Sequence, residues 1–206
     1  MVYPTPYENI VFLVIMGKLI VFLSLTVILL SCDKENPSVV IETNLGEITI
    51  ELYEKQAPIT TQNFIKYIEE DRYKGSTFYR VVTQNNQPNS KVKIEVIQGG
   101  LYEDDHPQNL PPIPHENTQQ TGVLHLDGVI SMARYEPGTA TFEFFICVGD
   151  NPSLDFGGNR NPDNHGFAAF GKVIDGMDVV RKIQQQPEKD QLLEPRVPIT
   201  NMRIVY

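Results

Sequence analysis

From residue 39 onward the chain is a succession of short β-type runs separated by turns, and this pattern constrains the fold most strongly. The segment VVIETNLGEITIELY (39–53) holds two such runs around Asn44-Leu45-Gly46, which predicts a hairpin. Ala57 to Glu70 and Asp175 to Gln185 have helical spacing instead. The pattern therefore predicts a mainly β fold, a closed antiparallel barrel capped by two α-helices. The further β-type runs are 77–82, 94–98, 128–133, 142–149, 167–174 and 200–206.

The N-terminal region has the plan of an export signal. Lys18 precedes an apolar run at 19–30, and the small residue Ser31 precedes Cys32. A positive start, a short apolar core and a small residue are typical of a secretory signal peptide. The run Leu29-Leu30-Ser31-Cys32 also resembles the lipobox of bacterial lipoproteins, in which the cysteine is lipidated and becomes the first mature residue. We therefore expect a lipid anchor on Cys32; the alternative is one membrane anchor over 10–30.

The region before Met16 does not fit a signal, because residues 1–15 lack positive charge and contain Glu8. We interpret 1–15 as a mis-assigned start, with translation beginning at Met16. The expected organisation is a signal peptide at 16–31, a polar tether at 32–38 and a single domain at 39–206. The domain is then exported and faces the periplasm or the exterior of the cell, held to a membrane.

Charge and cysteine content exclude two classes of protein. The 206 residues include 17 basic and 26 acidic ones, a net charge of −9, so no nucleic-acid partner is expected. Only two cysteines occur, Cys32 and Cys147, which excludes a disulfide framework. Cys147 lies within an apolar run and is predicted to be a buried structural thiol.

No metal or cofactor is expected. His106, His115 and His125 lie near acidic residues in the sequence, but no pair of them has ligand spacing on one element. We interpret these histidines as isolated and solvated. Asn159, Asn161 and Asp163 lack the glycine and the glutamate that complete a calcium loop, so their segment is predicted to be a turn-rich loop.

Several short motifs, taken together and in order, resemble the cyclophilins, the cyclosporin-binding peptidyl-prolyl isomerases. The opening TNLGEITIELYEKQAPITTQNF matches the first strands and helix of that family, and the resemblance covers nearly all of 39–206. The motifs that carry it are FYRVV (78–82), VIQGG (96–100), GVISMAR (128–134), EFFIC (143–147), Leu154-Asp155 and FGKV (170–173).

The resemblance implies an eight-stranded antiparallel barrel and a prolyl isomerase that needs no nucleophile, metal or cofactor. It implies that Arg80 donates a hydrogen bond to the prolyl nitrogen and that Gln98 holds the substrate backbone and orients Arg80. Proline-containing peptides are the implied partners. The implied substrate-binding residues are Phe78, Val96, Ala133, Arg134, Glu143, Phe145, Leu154 and Phe167.

The chain departs from the family pattern around the proline pocket. An insertion at 83–93 separates Arg80 from Gln98, and Glu95 replaces an aromatic pocket residue unless Ile94 turns inward. Glu143 stands where the family often has glutamine. The sequence is compatible with a solvated Glu143 and with a Glu143 that faces Arg80, where it would orient or sequester the guanidinium.

Two further departures concern ligands. Pro152-Ser153 occupies the place of the tryptophan that contacts cyclosporin, so weak cyclosporin binding is expected. Phe167 replaces a pocket histidine, for which His165 is a candidate substitute.

The sequence thus predicts an isomerase acting on X-Pro bonds of exported unfolded or partly folded proteins. The alternative is a cyclophilin-fold peptide-binding module or chaperone with little turnover, motivated by Glu95, the 83–93 insertion and Phe167. A weaker alternative is an adhesion lipoprotein that contacts its partner through the loop at 101–122.

Overall fold

The structure, a computed structural model, describes residues 36–103 and 105–205. The predicted start at Met16, the signal peptide, Cys32 and the first part of the tether lie outside these residues. The described strands are β1 Ser38–Thr43, β2 Gly46–Leu52, β3 Thr77–Val82, β4 Val96–Gly100, β5 Val129–Met132, β6 Phe144–Cys147, β7 Ala168–Asp175, β8 Glu188–Lys189 and β9 Leu192–Val205. The helices are α1 Pro58–Glu69, α2 Thr118–Thr121 and α3 Met177–Gln184, and a 3₁₀ turn spans Pro152–Leu154.

Eight strands close into an antiparallel barrel, as the sequence predicted. The order around the barrel is β1-β2-β7-β5-β6-β4-β3-β9, and β9 pairs with β1 to close it. The short β8 pairs with the beginning of β9. Closure leaves each of the eight strands paired on both sides, which removes exposed sheet edges.

The barrel interior is filled by inward-facing side chains of the strands and by aromatic residues. Phe64 of α1 inserts its ring 5.4 Å from that of Phe144 and 5.2 Å from that of Phe170, measured between centroids. These three side chains are completely buried. Tilted and edge-to-face aromatic pairs of this kind contribute packing free energy beyond their buried area.

Helix α1 begins at Pro58, and a side chain from a distant part of the chain caps its N-terminus. The carboxylate of Glu116, from the loop before α2, accepts the backbone N–H groups of Ile59 at 3.2 Å and Thr60 at 2.7 Å. The hydroxyl of Thr60 also donates to Glu116, at 2.7 Å. This carboxylate supplies the acceptor that the helix N-terminus favours.

Helix α3 begins at Met177, two residues later than predicted. Asp175 still belongs to β7, and Gly176 turns the chain with φ of +88°. A Cβ at Gly176 would lie 2.3 Å from the carbonyl oxygen of Glu47, so only glycine fits this turn. Within the described ranges, no helix is long and apolar enough to cross a bilayer.

A bulge interrupts the regular alternation of β3. Phe78 pairs with Gly99 of β4 while Arg80 pairs with Gln98, so Tyr79 is the additional residue. The same break appears on the other side of β3, where Phe78 pairs with Val197 and Arg80 with Leu192 of β9. A bulge re-aims the side chains beside it, and here it changes which residues of β3 face outward.

Candidate active site

A groove of about 770 Å³ crosses the outer face of β3, β4 and β6. Outward-facing residues of β4 and β6 form its floor, because Gln98 pairs with Phe145 and Val96 with Cys147. Glu143 and Tyr102 lie at one end of this line of residues. Ile94 lies at the other.

The end of the groove near Ile94 is apolar. Phe145 is 5% exposed and contacts the ring of Phe167 edge-on at 5.4 Å between centroids. Phe144 is completely buried in the barrel core, whereas its neighbour Phe145 lines the groove. The apolar cluster contains Val82, Ile94, Val96, Phe145, Cys147 and Leu154, with Ala133 and Phe167 packed against it.

Ile94, and not Glu95, occupies the position beside Val96 in this pocket. Ile94 is 6% exposed within the cluster, whereas the Glu95 carboxylate accepts from Gln84 Nε2 at 3.2 Å. The backbone N–H of Glu95 donates to Asn151 Oδ1 at 2.8 Å, which fixes this local register. The insertion before Ile94 therefore preserves an apolar pocket, and Glu95 does not interrupt it.

Arg80 lies over the middle of the groove and is held by two neutral side chains. Its Nη1 donates to Gln98 Oε1 at 2.8 Å, and its Nε and Nη2 donate to Gln191 Oε1 at 3.0 and 2.6 Å. A guanidinium has five N–H donors, so two N–H groups, one on Nη1 and one on Nη2, are left for a ligand. Burial lowers the pKa of Arg80 from its usual value, and nearby Arg160 lowers it further.

Gln191 was not among the predicted site residues. It follows β8 with φ of +74°, and its backbone N–H donates to Glu188 Oε2 at 2.6 Å. Its amide Nε2 donates to the carbonyl oxygen of Asn86 in the 83–93 insertion at 2.9 Å. No local signal marked Gln191, because the register break in β3 and the β8–β9 turn together bring it to Arg80.

Glu143 is connected to Arg80 through Gln98. Gln98 Nε2 donates to Glu143 Oε2 at 2.7 Å, and the hydroxyl of Tyr79 donates to the same oxygen. Burial raises the pKa of Glu143 from 4.5 to about 7, and the backbone N–H of Tyr102 acts in the opposite direction. Glu143 therefore faces the groove and contacts Arg80 only indirectly.

Phe78 does not line the groove, so its predicted contact with substrate was wrong. The side chain is completely buried in the barrel core, with its ring 5.8 Å from that of Phe144. Regular alternation would place Phe78 and Arg80 on one face. The bulge at Tyr79 turns Phe78 inward and brings Tyr79 to the groove instead.

Ala133 and Arg134 form part of one wall. The backbone N–H of Ala133 donates to the carbonyl oxygen of Glu143 at 2.8 Å. The Arg134 guanidinium, 1% exposed, binds both carboxylate oxygens of Asp163 at 2.8 and 3.0 Å. It also donates to the carbonyl oxygen of Gly166, so it ties the 156–166 loop to the groove wall.

His125 supports the floor of the pocket, and its interpretation as solvated was wrong. It is completely buried, with Nδ1 2.7 Å from Asp155 Oδ1 and Nε2 3.0 Å from Ser131 Oγ. Its ring stacks on Phe145 with centroids 6.0 Å apart. His165, the candidate substitute for a pocket histidine, is exposed and contacts Phe156 outside the groove.

The groove can bind an apolar ring and present a hydrogen-bond donor beside it. Cys147 is buried and unpaired, as predicted, and burial raises the pKa of its thiol. Across residues 36–103 and 105–205, no group of three or more His, Cys, Asp or Glu side chains is arranged to hold a metal ion. The groove thus combines an apolar pocket with hydrogen bonding by a fixed cation, Arg80.

Comparison with known proteins identifies a family model and several relatives that match this chain. The family model described as cyclophilin type peptidyl-prolyl cis-trans isomerase matches residues 38–204. A peptidyl-prolyl cis-trans isomerase of Acinetobacter baylyi is 38% identical over 171 residues, covering 82% of this chain and 84% of the relative. Peptidyl-prolyl cis-trans isomerase B of Escherichia coli is 34% identical over 168 residues, covering 76% and 96%.

The fold is also found in solved structures. A cyclophilin type peptidyl-prolyl cis-trans isomerase of Cryptosporidium parvum superposes with a TM-score of 0.63 at 23% identity, covering 83% of this chain and 98% of that one. A second structure of that protein, in the presence of the dipeptide Ala-Pro, gives a TM-score of 0.62.

Proposed function

The chain belongs to the cyclophilin-type peptidyl-prolyl cis-trans isomerases, and from this premise we propose that it isomerises X-Pro bonds in unfolded or partly folded exported proteins while anchored to a membrane by a lipid on Cys32. The isomerase class follows from the family. The residue roles, the exported substrates and the anchor are the parts proposed here.

The chemical task is rotation about an amide bond. Partial double-bond character gives this rotation a barrier of about 18–20 kcal/mol, and X-Pro isomers exchange over tens to hundreds of seconds without a catalyst. A donor aimed at the prolyl nitrogen withdraws its lone pair from conjugation and lowers the barrier. No covalent intermediate is needed.

Arg80 is the proposed donor. Its guanidinium is fixed by Gln98 and Gln191 without a carboxylate that would compete for it, and two N–H groups remain to act on substrate. Because its position is set before substrate binds, little reorganisation is required at the transition state. The fixed Arg80 beside an apolar pocket is the observation that carries this proposal.

The apolar end of the groove is the proposed site of the proline ring. Val96, Phe145 and Leu154 form a pocket with Phe167 across from them. Ala133 and Arg134 supply the wall along which the peptide backbone would lie, and Gln98 and Glu143 lie farther along the floor. Weak binding of cyclosporin stays a prediction, based on Pro152-Ser153.

The role of Arg80 is tested by NMR exchange on a short proline peptide. Arg80→Ala is expected to lower kcat/KM by about a hundredfold, the usual effect of removing one preorganised donor. Arg80→Lys restores charge without the rigid fork and should recover only part of the rate. Arg181→Ala, an exposed arginine paired with Asp127, is the control.

Three results are distinguishable. A fast parent and a slow Arg80→Ala variant support the assignment, whereas equal rates contradict the role of Arg80. A folded parent that binds peptide without accelerating exchange would favour the alternative, a peptide-binding module with little turnover.

Export and lipidation are supported by the signal-like run at 19–30 and by Ser31-Cys32. We expect the protein from its native membrane fraction to have a mass that corresponds to a lipidated chain starting at Cys32. Cys32→Ser should move the protein to the soluble fraction. An unmodified chain that starts at Met1 would contradict this part of the proposal.

A further inference from the structure

We propose that Arg160 gives the groove a preference for peptides with an acidic side chain near the proline. The inference deepens the proposed isomerase function, on which it rests. Arg160 belongs to the 156–166 loop and lines the groove together with Ile94 and Leu154.

Arg160 is held in place by the 83–93 insertion. Its Nη1 lies 2.8 Å from Ser90 Oγ, 2.7 Å from the carbonyl oxygen of Val92 and 3.3 Å from Gln87 Oε1. Gln87 is 3% exposed and is itself fixed, since its Nε2 donates to the carbonyl oxygens of Thr83 and Ile94 at 2.7 Å each. The Arg160 guanidinium is therefore held in a fixed position, although the two segments involved are loops.

The contacts leave one side of the guanidinium available. All three hydrogen bonds use Nη1, and Nε and Nη2 make none with the described residues. A carboxylate binds best to a guanidinium through two parallel hydrogen bonds. Arg160 retains the donors for such an interaction.

The location of Arg160 in the groove follows from the strand register. The 83–93 insertion connects Val82 of β3 to Ile94 just before β4, and Val82 pairs with Val96. Arg160 contacts that insertion, so it lies beyond Val96 at the apolar end. Glu143 is at the opposite end of the floor, near Tyr102.

Among the described residues, no carboxylate forms a hydrogen bond or ion pair with Arg160 or with Arg80. The partners of Arg160 are an amide, a hydroxyl and a carbonyl group, and those of Arg80 are two amides. The two guanidinium groups also act on each other, since Arg160 lowers the pKa of Arg80. In a chain of net charge −9, this is a local site for an anion.

An acidic side chain of the substrate fits this site better than a free anion. The groove binds an extended peptide through its proline, so a neighbouring Asp or Glu reaches Arg160 as part of the same molecule. The ion pair remains in contact with solvent because Arg160 is only half-buried. Its effect should therefore be modest and sensitive to salt.

The test compares peptides that differ only in Asp versus Asn at each of two positions before and after the proline. With the full-length protein in detergent, we expect the kcat/KM ratio of the Asp to the Asn peptide to be about five at one position or more. Raising the salt concentration should lower this ratio toward one.

Two variants test whether Arg160 causes the preference for the Asp peptide. Arg160→Gln should reduce the ratio to about one, while Arg181→Gln, which removes the same charge far from the groove, should leave it unchanged. A ratio near one at all positions in the parent, or a ratio that survives Arg160→Gln, would overturn the proposal.

The salt dependence in the parent keeps the proposal testable if Arg160→Gln disturbs the loop. The Asn peptides distinguish a failure of the proposed role of Arg160 from a failure of the proposed isomerase function. Fast exchange of the Asn peptides without an Asp preference contradicts only the role of Arg160, whereas no acceleration of any peptide contradicts the proposed function itself.

Discussion

Gln98 is bound on both sides of its amide by groups that fix its orientation. Arg80 can only donate, so it requires the amide oxygen, and the carboxylate of Glu143 accepts from the amide nitrogen. Arg80, Gln98 and Phe145 could be assigned from the sequence because motif order alone identifies them. Phe78 and His125 could not, since a bulge and a distant aspartate decide their positions.

The titration of Glu143 should affect stability. Its folded pKa of about 7 lies above its usual value of 4.5 because of burial, so the native state holds this proton more tightly than the unfolded chain does. This contribution is fully present below pH 4.5 and is lost as the pH rises through 7. Urea unfolding of the parent between pH 5 and 8, compared with Glu143→Gln, should show a steeper decline in the parent.

Activity gives a second readout of the same residue. Ionised Glu143 accepts from Gln98 Nε2 and keeps the amide oxygen toward Arg80, so kcat/KM should fall as the pH drops through about 7. Glu143→Gln should change kcat/KM and flatten this profile. An unchanged kcat/KM would exclude an orienting role for Glu143.

The 83–93 insertion and the 156–166 loop both form part of the site, although the sequence indicates only polar, turn-rich segments there. Arg160 joins the 156–166 loop to the 83–93 insertion, and Arg134 joins the same loop to the groove wall. Element types could be predicted from periodicity, but these contacts could not, since they join residues as far apart as 73 positions. Strand β9 begins at Leu192, eight residues before its predicted start, and it includes Pro195 and Pro198, although proline is unusual inside a strand.

The tie between Arg134 and Asp163 should stabilise the loop. Arg134 is almost completely buried and holds the pKa of Asp163 at about 2, so the pair contributes at neutral pH and is lost as the pH falls through 2. Asp163→Asn should lower the free energy of unfolding by about 1–2 kcal/mol, measured in urea at pH 7.

The matched control is the exposed pair of Arg181 and Asp127, with side chains 47% and 40% exposed. Arg181→Gln should cost less than about 0.5 kcal/mol. Equal losses in the two variants would mean that burial of Arg134 does not strengthen its pair.

At the scale of the whole molecule, the barrel could be predicted from the number and order of β-type runs. Each strand must bury its inward-facing side chains. For eight antiparallel strands, a closed barrel is one of the few arrangements that buries these side chains in every hairpin. The groove is a product of the strand order, because it needs β3, β4 and β6 side by side although β5 lies between β4 and β6 in the chain.

Chemical labelling of the Cys147 thiol can measure how readily the folded protein opens. Cys147 is completely buried under the groove with a raised thiol pKa, and in a Cys32→Ser variant it is the single thiol. We expect a disulfide reagent to label it at least about a thousandfold more slowly than free cysteine, because labelling requires opening.

Urea should accelerate this labelling in parallel with the loss of folded protein, and a saturating proline peptide should slow it. Rapid labelling in the absence of denaturant would show that the pocket floor opens without unfolding of the barrel.

The pairing of β1 with β9 has a consequence for the timing of folding. Ser38 at the start of the barrel lies opposite Val205, so synthesis must reach the end of the last strand before the first strand has both neighbours. A nascent chain therefore cannot close its barrel until β9 has been synthesised, and contacts between such distant segments form slowly. If this protein crosses a membrane as an extended chain, the pairing of β1 with β9 postpones barrel closure until β9 has crossed as well.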